Sequence, residues 1–169
     1  MTKEQLEDLV KNELAGKNGA IHAYDKMMWT VRTGFITLVF AGWGLLIKAA
    51  VEYGRTIMQV ESYIDMLAAA TIIIAVSGYM VDSNYAKRKF RVISAIDQLT
   101  KLWILTDPGK INDDDQAEFI RLLSISGDVA NNKYKSSAFS NEQFVSIVIY
   151  FFPAASTAIF AILLILISV

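Results

Sequence analysis

Ser140–Val169, SNEQFVSIVIYFFPAASTAIFAILLILISV, carries no charged side chain after Glu142. The 27 residues from 143 to 169 would extend roughly 40 Å as a helix at about 1.5 Å per residue, more than the ~30 Å hydrocarbon core of a bilayer. The stretch therefore reads as a membrane-spanning helix. Ser140 with Gln143 makes a capping-box pattern that opens it, the serine hydroxyl serving an early backbone N–H. Pro153 offers a place to kink, and the alternative to a full crossing is a re-entrant hairpin that returns the C-terminus to its starting side.

Working outward, a chain of 169 residues with 54% hydrophobic content is richer in apolar residues than ordinary soluble domains. Membrane burial accounts for the excess. A net charge of -1 supplies no global basic field, so nucleic acid is not an expected partner. With no cysteine and a single histidine, His22, thiolate and histidine metal sites are not expected. The first residues, MTKEQLEDLVKNELAGKNG, are too polar and acidic for a secretory signal, so the first apolar segment is expected to act as an uncleaved anchor.

Two further spans precede the last one. Residues 1–32 read as amphipathic and interfacial helices: Thr2 and Gln5 form a cap, Leu6, Leu9, Val10 and Leu14 share a face, and Gly16 and Gly19 predict a hinge. A transmembrane hairpin over 33–82 follows, with spans at 33–51 and 64–82 and a turn at Gly54. Residues 83–139 form a helical cytoplasmic segment. In it Val92, Ile96, Leu99 and Trp103 recur at helical spacing, Asp107, Pro108 and Gly109 make a turn, and a short helix over 114–126 presents Phe119, Ile120 and Leu123. Residues 140–169 are the third span. No alternating pattern supports a sheet, so the expected class is all-α, an integral membrane protein with three transmembrane helices and a small helical cytoplasmic region.

Fourteen of the 16 Lys and Arg residues lie before the first span or between the second and third. The positive-inside rule then sets the N-terminus in the cytoplasm and the C-terminus outward. Arg32 and Lys48 are 16 residues apart at the ends of the first span, while Asp65 and Asp82 are 17 apart at the ends of the second. In an antiparallel hairpin Arg32 falls level with Asp82 and Lys48 level with Asp65, so two ion pairs would offset charges near a low-dielectric boundary.

Small residues mark a helix-packing face: Gly42, Gly44, Ala75, Gly78, Ala154 and Ala158. Three spans make a thin bundle, which points to a homo-oligomer. The acidic run Asn112–Asp115 lacks the glycine and ligand spacing of an EF-hand and reads as helix capping. Lys87, Arg88, Lys89 and Arg91 read as a topology signal beside a span. No catalytic motif or cofactor loop appears, and neither enzymatic activity nor a cofactor is expected.

The expected function is a channel or membrane-perturbing effector, regulated through its cytoplasmic helices by a protein partner or a signal ligand. The alternative is a non-conducting anchor that recruits a soluble partner through Ile96, Leu99, Trp103, Phe119 and Leu123, the same residues that would serve as a gating surface. In layout the chain resembles the small two- or three-span effectors of bacterial anti-phage systems, which implies a bacterial inner membrane. The resemblance is one of architecture, and no motif carries it residue by residue.

Overall fold

The computed structural model describes residues 3–52, 61–105 and 134–168. These form three helices, α1 (Lys3–Glu52), α2 (Glu61–Leu105) and α3 (Ser137–Ser168), with no strand among the described residues. All three are long and apolar enough to cross a membrane. The all-α class is the one that the hydrophobic runs require.

Helix α1 is one unbroken element of 50 residues, about 75 Å long. It passes straight through Gly16 and Gly19, where a hinge was expected. Each glycine costs about 1 kcal/mol relative to alanine, but a buried or half-buried seam of Val10, Leu14, Lys17, Ile21 and Tyr24 runs past both. Its alternating steps of four and three residues are those of helices packed side by side. Tertiary burial outweighs local propensity here. Helix α2 likewise continues without interruption from the apolar run through the basic residues to Leu105, so the second span and the amphipathic stretch after it are a single helix.

The start of α3 differs from the expected one. The helix begins at Ser137, and Ser136 is the cap: its Oγ accepts from the Phe139 N–H at 3.2 Å, and its carbonyl accepts from the Ser140 N–H at 3.0 Å. The extra turn sets the Phe139 ring against Phe90, with centroids 5.5 Å apart, and against Tyr134 at 5.3 Å. It also releases Gln143 from a capping role. Pro153 does not turn the chain back, since α3 runs through it to Ser168. The Thr157 hydroxyl donates to the Pro153 carbonyl at 2.8 Å, the back-bond to position i−4 that hydroxyl side chains make inside helices.

The chain divides into two compact units. One comprises residues 1–27 and 84–141, the other residues 28–83 and 142–169. The second contains the three spans and a three-helix core: Phe35 and Val39 from α1, Ala75 from α2, and Tyr150 and Ala154 from α3. A smaller cluster of Ile64, Ala68 and Ala161 lies beside Trp43, Leu46 and Phe160. In the first unit, Phe90, Val92, Ala95 and Leu99 are buried. There Tyr24 meets Tyr85 with centroids 6.3 Å apart, and Lys89 Nζ pairs with Asp25 Oδ1 at 2.6 Å.

Candidate functional site: the buried Arg32 cluster

The seam of α1 in the second unit runs Met28, Arg32, Phe35, Val39, Gly42 and Leu46, and so carries a cation into an otherwise apolar face. Arg32 is 3% exposed and its neighbour Asp82, on α2, is fully buried. Arg32 Nε donates to Asp82 Oδ2 at 3.0 Å. Its Nη2 donates to two acceptors on α3, Glu142 Oε1 at 2.7 Å and Ser146 Oγ at 3.0 Å. One guanidinium therefore ties all three helices, a task its divergent donors suit and a lysine ammonium does not. The Trp29 ring stands 5.7 Å from the guanidinium carbon, in cation–π range.

A second set of bonds flanks the first. The Gln143 side-chain carbonyl accepts from Ser83 Oγ at 3.1 Å and from Tyr79 OH at 3.4 Å, joining α3 to α2. Farther along, Trp43 Nε1 donates to Thr157 Oγ1 at 3.3 Å, joining α1 to α3. Asp82 Oδ1, Gln143 Nε2 and Tyr150 OH are buried without a hydrogen-bond partner. Unmet polar capacity of this kind is costly in an apolar interior, and Arg32 offsets it by neutralising the carboxylate beside which it sits.

The hairpin spacing anticipated Arg32 opposite Asp82, and the structure brings those two together. It adds Glu142 and Ser146, which the sequence reading did not place there. Glu142 could have been found by extending the same spacing argument to the third helix, because it is the last charged residue before the apolar run. Lys48 and Asp65, at the other end, are both exposed. Of the expected packing face, Ala75 and Ala154 are buried in the core and Ala158 is half-buried. A Cβ at Gly42 would stand 2.6 Å from Leu67 Cδ1, and one at Gly78 would stand 2.7 Å from Tyr150 Cε1, so both glycines mark close approaches between helices. Gly44 is exposed, with nothing within 4 Å of a Cβ built there, so it marks no close approach within the chain among the described residues.

Ile96 is half-buried and Leu99 fully buried, so Leu99 packs inside its own unit and presents no surface to a partner. The Trp103 side chain, Phe119 and Leu123 lie outside the described residues, as do Thr2, Gly54, the Asp107–Gly109 turn, the helix expected over 114–126 and the Asn112–Asp115 run. His22 is exposed. Among the described residues no group of His, Cys, Asp or Glu could hold a metal ion.

The cluster joins three spans and buries its charges. Its hydrogen bonds are those of a structural tie. No protein-family model matches the chain, and neither a curated protein nor a solved structure matches it.

Proposed function

We propose that the chain is the subunit of a homo-oligomeric channel in a bacterial inner membrane, with its N-terminus cytoplasmic. One observation supports this reading above the others. Helix α1 bears a second seam, Thr30, Gly34, Thr37, Ala41, Gly44 and Lys48, which repeats in the same steps of four and three but is exposed at every position. At about 100° per residue it lies opposite the buried seam. Bulky residues border it on both flanks, with Trp29, Phe40 and Ile47 on one side and Leu38 and Leu45 on the other.

Small side chains let membrane helices approach closely, and a face of small and hydroxyl-bearing residues is the least suited of the α1 faces to lipid. Set around a symmetry axis, it would form subunit contacts and offer the Thr37 hydroxyl to water. The Arg32 cluster keeps α1 locked to α2 and α3, so that this face is held outward. Helices α1 and α2 each continue from a polar segment into a span, and a ligand or partner bound to those segments would be the regulating input.

Ion flux into liposomes holding the purified chain tests the proposal. The unaltered protein should conduct, and Gly44→Leu, which adds bulk only to the outward seam, should reduce flux to background while leaving the helical content intact. A protein that assembles and stays silent with every candidate signal would instead favour a non-conducting anchor for a cytoplasmic partner.

A further inference from the structure

A groove of about 470 Å³ opens between α1 and α3, walled by Phe40, Trp43, Phe152, Pro153, Ser156 and Phe160. Its size falls within the roughly 300–1,000 Å³ usual for small-molecule sites. Taking ~30 Å³ for each group of about a water molecule's volume, it has room for on the order of fifteen methylene-sized groups.

Every polar side-chain atom in the wall is already engaged. Trp43 Nε1 donates to Thr157 Oγ1, the Thr157 hydroxyl donates to the Pro153 carbonyl, and Ser156 Oγ donates to the Phe152 carbonyl. No side-chain donor is left for a polar occupant, and only the Ser156 hydroxyl oxygen remains as an exposed acceptor. The lining residues belong to the predicted first span and to the uncharged run of α3, and Phe40 and Phe152, both 72% exposed, stand outward at the rim. An occupant without polar groups, reaching the groove from bilayer depth, is the one that this wall suits.

We infer that the groove is a binding site for one acyl chain of a membrane phospholipid. A second copy of the chain suits it less well. Close helix contact in membranes uses small residues, and the small-residue face of α1 meets these aromatic walls only at its border, at Phe40. The site is independent of whether the assembly conducts.

Labelling the full-length chain in phosphatidylcholine vesicles, doped with a phosphatidylcholine that carries a diazirine in one acyl chain, tests the inference. After photolysis, adducts on Phe40, Trp43, Phe152 and Phe160 should exceed those on Leu38 and Leu45 several-fold. The latter two are 58% and 69% exposed on another side of α1 and report ordinary lipid contact. Ser156→Phe, which fills the groove from an exposed position, should abolish the excess and leave the Leu38 and Leu45 signal unchanged. Ala155→Phe, exposed but outside the groove, should retain the excess and serves as the control for folding. Labelling that merely follows exposure, with the half-buried Trp43 and Phe160 below Leu38 and Leu45, would overturn the inference. So would disulfide-linked dimers formed in the same vesicles by Ser156→Cys, which would put a second copy in the groove.

Discussion

Replacing Arg32 with alanine is expected to destabilise the folded chain by about 3–5 kcal/mol, the usual cost of stripping one partner from a buried ion pair. The change leaves the Asp82 carboxyl at zero exposure without its cation and removes a donor from Glu142 Oε1 and Ser146 Oγ, two acceptors on α3. Arg32→Lys should recover only part of the loss, because an ammonium cannot reproduce donors that diverge from Nε and Nη2 toward two helices. Combining Arg32→Met with Asp82→Leu should recover most of it, since two apolar side chains of similar bulk replace two desolvated charges. Glu142, 21% exposed, can still reach water. Exchanging the charges would fail for a structural reason: a carboxylate at position 32 would face Glu142. Denaturant unfolding in micelles gives the double-mutant cycle directly. A loss below about 1 kcal/mol for Arg32→Ala would mean that the cluster is solvated and is no tie.

The second large effect is expected at Gly78. In Gly78→Ala the new methyl would lie 2.7 Å from Tyr150 Cε1 and 3.2 Å from Cδ1. Tyr150 is fully buried, and its ring packs on Phe35 with centroids 5.0 Å apart, so it has little room to withdraw. Overpacking of that kind costs about 1–3 kcal/mol. Gly42→Ala makes a shorter contact, 2.6 Å to Leu67 Cδ1, yet should cost far less. The atom it meets is the end of a half-buried leucine that can rotate aside. Gly44→Ala should leave the isolated subunit as stable as before, or firmer by up to about 1 kcal/mol through helix propensity. Thermal unfolding of the three variants in a detergent that keeps the chain monomeric ranks them, and equal midpoints for Gly78→Ala and Gly44→Ala would contradict the packing described for α2 and α3.

Gly42 and Gly44 mark where sequence reading stops. They sit two residues apart, hence on nearly opposite faces of one helix, and only knowledge of which seam points inward separates a packing glycine from an exposed one. The last span was legible because a soluble fold rarely contains an uncharged run of bilayer length, and the first two, whose uncharged runs are shorter, were legible as apolar runs bounded by charges. Arg32 opposite Asp82 was legible as well, since charge spacing in a hairpin is simple geometry. Glu142 was not, because a pairwise view of the hairpin left the third helix out. Gly16 and Gly19 misled in the opposite way: local propensity predicted a hinge, while the seam that overrides it includes Lys17, a residue that looks polar in sequence and is 1% exposed. The α3 cap moved by one turn because packing of Phe139 on Phe90 decided between neighbouring serines, a long-range contact that no capping motif encodes.

The chain contains no cysteine, so single cysteines can be introduced without background. Oxidative cross-linking in liposomes, with one cysteine at a time along α1, tests most directly whether its outward seam joins subunits. Subunit contact through that seam requires disulfide-linked dimers from Thr37→Cys, Ala41→Cys and Gly44→Cys, with little or none from Leu38→Cys, Phe40→Cys and Leu45→Cys. Cross-linking without that period, or strongest at Leu38 and Leu45, would show that α1 meets its neighbours by another face or not at all.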